Sequence, residues 1–444
     1  MNSVLVATRA LLRSRDRATS VLTVLAFALP HAVLLAVVGG VGAFVSRLHA
    51  PSNELMATSF HLLLALFAAI LLVVPALSMG AAAARLGLSR RARDLAVLRL
   101  LGLPPGSTKA ASVLETTMNA MVGVVLGSVL YVVTLPVWHL VSLQRAPMGV
   151  HEMWMGPWLL LGLGTLMVAL GAVSAWLSLR RAAVTPLGVA RRSEAHRVSP
   201  VGAVVTVVLV VVWIGPAQML MGMGTAVAAG MLLGFLAVVF ALTTVVGTWL
   251  IGVLGRIMTR TARRPRLLLA GRRIMDDPRS VWRSFGAVAM VGFVVGVLDP
   301  LLQVVGMGDA GTAAGSDDAV MMADISTGML LTLGITFVLA AISTAVNQSI
   351  RTIDGIAETR ALTDMGAPAR FLDASRRAEV GIPAVLVTMG SLGMGLLFIS
   401  PVMVSQNLWG PVVGLVAFML VGLGLVLLGS EATRPLRRRL LAAT

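Results

Sequence analysis

From Val21 to Val45 the chain reads VLTVLAFALPHAVLLAVVGGVGAFV, twenty-five residues without a charge. A helix needs about 20 apolar residues to cross the hydrocarbon core of a bilayer, so this run is long enough to span it. Inside lipid every backbone N–H and C=O must be satisfied within the segment, which leaves an α-helix as its conformation. Similar runs recur along all 444 residues, which are 57% hydrophobic and only 12% charged. The pattern predicts an all-α, polytopic membrane protein and excludes a soluble domain, whose elements would alternate apolar and polar positions.

Ten spans are expected, at 20–46, 58–80, 116–141, 157–179, 199–215, 225–254, 284–305, 325–346, 381–400 and 410–430. The first run is too long for the apolar region of a signal peptide and lacks a small-residue cleavage pattern, so it reads as an uncleaved first span. With no cysteine, neither disulfides nor thiolate metal sites are available.

The net charge of +16 does not by itself point to nucleic acid, because in a membrane protein the position of each charge matters more than the sum. Lys and Arg collect on the cytoplasmic side of membrane proteins. With the N-terminus inside, only Arg47 and Arg145 of the 35 basic residues fall outside. Basic stretches at 180–192, 260–279 and 434–441 then line the inner face and can meet anionic lipid headgroups. Trp154 and Trp158 suit the outer interface.

A shift of 264 residues lays the chain on itself in one register. It pairs Arg9 with Arg273, Arg15 with Arg279, Gly42 with Gly306, Leu98 with Leu362, Gly102 with Gly366, Pro104 with Pro368 and Glu115 with Glu379. Apolar coincidences between spans carry little weight, so the argument rests on the Gly, Pro, Arg and Glu pairs. Spans 1 to 4 then match spans 7 to 10. A displacement by an even number of spans leaves both copies pointing the same way, so the repeat is parallel. Residues 1–197 and 265–444 are the expected four-helix repeats, and 198–264 a two-helix connector.

Between two spans lies RARDLAVLRLLGLPPGSTKAASVLE, from Arg91 to Glu115. Leu95, Leu98 and Leu101 form an apolar stripe with Arg93, Asp94 and Arg99 away from it, the pattern of a short amphipathic helix. Gly102 is the expected stop, Pro104 to Gly106 a turn, and Ser107 or Thr108 the cap of the next helix. The second copy, Ile356 to Gly381, repeats the plan with Glu358, Leu362, Met365, Gly366, Pro368 and Glu379. An amphipathic helix at the inner leaflet can simply lie in the interface.

A basic residue, an acid, a Leu-rich turn, Leu-Gly, a small turn and a helix reaching Glu before an apolar span resemble the cytoplasmic segment of FtsX-like permeases. These are the membrane subunits of type VII ABC systems, the group containing the MacB, LolCE and BceB permeases, and the ten-span plan is similar to the BceB-like branch. The resemblance implies inner-face coupling segments at 81–115 and 347–379 that dock in an ATPase. It places Arg93, Asp94, Leu98, Leu101 and Gly102 in one contact surface, and Glu358, Leu362, Met365 and Gly366 in the other. Glu115 and Glu379 stand where each segment rejoins the membrane.

The resemblance further implies an ABC ATPase homodimer as partner, ATP and Mg²⁺ bound there rather than here, and a bacterial cytoplasmic membrane with both termini inside. Relatives that carry a large extracellular domain place it in loops that here are only 47–57 and 306–324, too short to fold alone. The second loop, Gly-rich and acidic, is expected to be solvated and disordered.

No Walker A pattern surrounds Lys109, the only lysine, so ATP hydrolysis falls to another chain. The six histidines show no zinc-binding spacing, and no nucleophile with its base is visible, so neither a metal site nor a catalytic one is expected. Polar groups within spans are His31 after Pro30, His61, and Asp299 before Pro300. Such groups are costly in lipid, and Asp299, then His31, are the candidate contacts for a small cationic or amphipathic substrate. An ABC exporter of lipid-like, amphipathic or antimicrobial compounds is the leading expectation. The alternatives are ATPase-coupled signalling or control of a cell-wall hydrolase, and an ion-driven secondary transporter.

Overall fold

The structure, a computed structural model, describes residues 17–100, 104–183, 244–308, 316–406 and 409–431. Eight helices among the described residues are long and apolar enough to cross a membrane: Ser20–His49, Phe60–Ala84, Gly106–Leu140, Gly156–Leu179, Pro278–Pro300, Asp317–Ile353, Ala369–Leu397 and Val412–Glu431. They coincide with eight of the ten expected spans. The expected span 199–215 lies outside the described residues, as do 225–243 of the next and most of the connector. The basic stretch 434–441 and the part of 180–192 beyond Ala183 lie outside them too.

The first half consists of α1 (Arg17–His49), a short α2 (Glu54–Ala57), α3 (Phe60–Leu100) and α4 (Pro105–Thr134), which passes into a 3₁₀ turn at Leu135–Leu140. A two-stranded hairpin, β1 (Ser142–Leu143) with β2 (Ala146–Pro147), precedes α5 (Val150–Met153) and α6 (Gly156–Ala183). After α7 (244–261) come α8 (Pro265–Asp276), α9 (Pro278–Gly308), α10 (Asp317–Asp354), α11 (Ile356–Asp364), α12 (Ala369–Gln406) and α13 (Trp409–Glu431). Successive spans run antiparallel. The bundle therefore has a hairpin end and an opposite end carrying Arg273, Arg351, Arg376 and Arg377.

In lipid, helices associate by close packing rather than by the hydrophobic effect, so small residues mark the contacts. On α4, a Cβ at Gly127 would come within 2.5 Å of the Ala28 carbonyl oxygen of α1. On α12, one at Gly395 would come within 2.7 Å of the Phe293 carbonyl oxygen of α9. Both backbones are therefore in contact, and any larger side chain would push the helices apart. Within the first half α1 packs on α3 and α4, and α6 packs on both of those; within the second, α9 packs on α10 and α12, and α13 packs on both of those. The halves meet chiefly where α3 lies on α10, around Leu72, Ala76, Met79 and Leu339. Large apolar side chains on the far faces, such as Val125, Val133, Trp158, Leu161 and Val421, are exposed and form the surface a bilayer would cover.

Three local expectations are corrected. The acidic loop expected at 306–324 is helical from Asp317 onward, because Ser316 accepts the Ala319 N–H as N-cap and Asp317 and Asp318 sit in the positively polarised first turn. Neither Ser107 nor Thr108 caps α4. The helix starts at Pro105, whose missing N–H needs no partner, and the Ser107 hydroxyl donates back to the Pro104 carbonyl at 2.8 Å. The helix expected around Leu95 to Leu101 is not a separate element, since α3 runs unbroken from the membrane to Leu100.

Candidate functional site

At the arginine-rich end the second expected segment is complete. α10 stops at Gly355 and α11 begins one residue later, with Glu358 in its first turn. Its end is a Schellman stop: Gly366 takes φ +90°, its N–H donates to the Thr363 carbonyl, and the Ala367 N–H donates to that of Leu362, both at 2.9 Å. The left-handed residue is the glycine that the sequence marks as the stop. Leu362 is half-buried and Met365 is 74% exposed, so the end of α11 presents an apolar side chain to the surroundings. Pro368 then opens α12, its carbonyl accepting the Phe371 N–H, as the Pro104 carbonyl accepts that of Ser107 in α4.

Charges fix α11 against its neighbours. Arg273 of α8 bonds Glu358 at 2.9 Å and lies 3.9 Å from Glu379 of α12. Glu379, only 3% exposed, also accepts from Arg351 of α10, whose guanidinium reaches the Asp277 carbonyl as well. Arg376 donates to Thr352 at 2.6 Å, and Arg377 pairs with Glu431 of α13. Asp276 adjoins this group. Burial, and then the neighbouring Glu358, push its carboxyl above the usual carboxylate range, against the pull of Arg351 and Arg273.

In the first segment Arg93, Asp94 and Leu98 lie on the last turns of α3, while Leu101 and Gly102 lie outside the described residues. Glu115 is fully buried on α4. Glu379 is buried likewise, so two acids 264 positions apart are both turned into the protein, near the starts of α4 and α12.

The hairpin end is built differently. Arg47, 2% exposed, donates to the carbonyls of Leu143 at 2.7 Å and Pro147 at 2.9 Å and forms an ion pair with Glu152 at 2.8 Å. The hairpin tip holds Gln144 and Arg145 at φ 56° and 62°, the left-handed pair a two-residue turn requires. That tip reaches the other half: the Gln144 N–H donates to Asp324 of α10 at 2.7 Å, and Arg145 pairs with Asp317. Asp324 also bonds His61 of α3 at 3.1 Å.

Below this junction lies a cavity of about 280 Å³ between α1, α3, α9 and α10, apolar except for His61, Asp324 and a few other groups. A second, of about 620 Å³, lies between α1, α4, α10 and α13. The two residues expected to contact substrate line neither. His31 is fully buried and turned to Ser128 of α4 at 3.3 Å, and Asp299 accepts from Ser326 of α10 at 2.9 Å. The cavity's own acid, Asp324, falls in the stretch whose composition predicts a loop, and the signal that places it is the helix start at Ser316. Among the described residues no cluster of three His, Asp or Glu side chains is placed to hold a metal.

These features define an all-α, multi-pass membrane protein whose two halves meet around an internal cavity. Residues 65–187 match the family model of the FtsX-like permease C-terminal domain, so the chain carries an FtsX-like permease domain over most of α3 and all of α4 and α6. That domain marks a transmembrane permease component of an ABC-type transporter, a transport subunit rather than an enzyme, and the family generally works with an ABC ATPase. No curated protein and no solved structure matches the chain.

Proposed function

We propose that the chain is the permease subunit of an ABC exporter in a bacterial cytoplasmic membrane, with both termini and the arginine-rich end in the cytoplasm. A separate ATPase homodimer supplies ATP and Mg²⁺ and docks on the two segments at that end. The observation that carries this reading is that the family match runs across the first segment while the second contains α11, a short helix that presents Met365 just before its Schellman glycine. A short apolar end between charged flanks suits a groove in a partner.

The shared packing order of the halves supports 1–197 and 265–444 as parallel repeats, with 198–264 as connector. One chain would then offer two similar handles to a symmetric dimer. Helices α3 and α10 are 41 and 38 residues long. At about 1.5 Å per residue each spans roughly 60 Å, enough to carry a push from the ATPase to the hairpin end. The cargo is lipid-like or amphipathic, as the apolar walls between the halves favour.

Leu98→Glu and Met365→Glu together test the coupling. Met365 is exposed, so its change leaves the packing intact. Loss of ATPase co-purification with normal membrane insertion is the expected result, and unchanged co-purification would overturn the assignment.

A further inference from the structure

We infer that the tip of the β1–β2 hairpin is a latch between the two halves, and that its release from α10 uncovers the cavity beneath it. The inference rests on the contacts across the seam and not on coupling to an ATPase.

Behind its tip the hairpin is mounted on the first half. Arg47 holds the Leu143 and Pro147 carbonyls, Asn53 Nδ2 donates to the Gln144 carbonyl at 3.0 Å, and Gln144 Nε2 donates to that of Leu55 at 3.0 Å. Leu143 and Met148 are buried with Tyr131 and Met153. What crosses the seam is the tip. Its Gln144 N–H and its Arg145 guanidinium meet Asp324 and Asp317, which lie two turns apart on one face of α10. His61 of α3, which also bonds Asp324, belongs to the first half as well.

A two-residue turn with both residues at positive φ is most at ease as Asn-Gly. Here Gln144 and Arg145, at φ 56° and 62°, crowd their Cβ atoms against the backbone. Strain of that kind points to a position kept for what its side chain reaches. Gln144 reaches the Leu55 carbonyl, and Arg145 reaches α10.

Deeper in the seam the contact is of another kind. Leu72, Ala76, Met79 and Leu339 pack as an apolar cluster, and water offers them nothing in exchange. Water does replace the ion pair of the tip, where Arg145 and Asp317 are each about half exposed. The cavity of about 280 Å³ is lined by Leu143, His61 and Asp324 at the tip and by Leu72 toward the apolar contact. A seam that stays closed at the apolar level and parts at the polar one opens this cavity to the hairpin end.

The chain has no cysteine, so Gly40→Cys places a single thiol in the cavity, where a Cβ meets nothing within 4 Å. Labelling of the full chain in phosphatidylcholine nanodiscs by a permanently charged methanethiosulfonate, which does not cross lipid, reads how often the latch is open. Slow labelling is expected with the latch intact. Asp324→Ala removes the buried acceptor and is expected to speed labelling about ten-fold or more, the scale of a lost hydrogen bond to a charged group.

Gln144→Asn with Arg145→Gly separates a latch from a plain turn. The pair relieves the strain and keeps the N–H that faces Asp324, so a plain turn would hold at least as firmly, whereas a latch that has lost Arg145 labels a few-fold faster. A thiol introduced by Leu140→Cys, at an exposed position of the first half, is the control and should label alike in every background. Labelling of Gly40→Cys at the control's rate with the latch intact, or a rate that the turn pair does not raise, would overturn the inference.

Discussion

At the hairpin end Arg47 is sealed against main-chain carbonyls and a carboxylate, whereas at the other end Arg273, Arg351 and Arg377 pair with carboxylates among which Glu358 lies mostly in solvent. The difference separates a fixed joint from an exchangeable one. Arg47 holds two carbonyls and a carboxylate at once, while Arg273 reaches both Glu358 and Glu379 and can favour either after a small shift of α11. The exposed Arg377–Glu431 pair contributes about 0–1 kcal/mol and can rearrange at little cost, whereas Glu379 is buried and held by Arg351. The coupling proposed above would draw on compliance at one end and a rigid junction at the other.

The largest effect expected from this contrast is at Arg47. Arg47→Met removes a donor from the Leu143 and Pro147 carbonyls and the ion-pair partner of Glu152, with an expected loss of about 3 kcal/mol. Arg377→Met, at a pair with Arg377 mostly exposed, is expected to change stability by less than about 0.5 kcal/mol. Thermal melts of both variants in one detergent measure the difference, and equal midpoints would remove the distinction between the ends.

The contrast also explains what the sequence discloses. Spans are legible because an uncharged run of membrane length has one stable conformation. The stop at Gly366 is legible because it depends on a single residue that tolerates a positive φ. Pairs between distant elements are another matter. His61 and Asp324 are 263 positions apart, and no local pattern marks either as the other's partner. His31 is recognisable as a costly polar group, but its turn toward Ser128 and away from the cavities depends on how α1 meets α4. The start of α10 is missed for a different reason: three acids near a span resemble a solvated loop until the N-cap and helix dipole are weighed.

Between the two segments themselves, Gly366 offers the next test. No atom lies within 4 Å of a Cβ there, so Gly366→Ala isolates the backbone strain of φ +90°. It is expected to cost about 1–2 kcal/mol and to loosen α11 first, seen as faster hydrogen exchange at residues 356–366. Gly102→Ala, at the matching position of the first segment, sharpens the comparison: a similar loss would indicate the same stop there, and none would mean the two segments end differently.

The smallest effect is a pH dependence confined to the arginine-rich end. Asp276 lies just before α9, and its carboxyl is held above the usual range by burial first and by Glu358 second. The folded protein therefore keeps this proton at a pH where the unfolded chain has released it. In that window the native state binds more protons, so the contribution to stability is full below the ordinary Asp range and declines as pH rises through the raised value. Asp276→Asn cannot ionise and removes the decline. Its melting temperature should exceed that of the wild type at about pH 8, with the gap closing as pH falls toward about 4, below which an unperturbed Asp is itself largely protonated. Arg47 lies at the hairpin end, away from Asp276, so the same gap should persist in an Arg47→Met background. A gap that widened on acidification would contradict the raised value, and one lost with Arg47 would tie the two ends together.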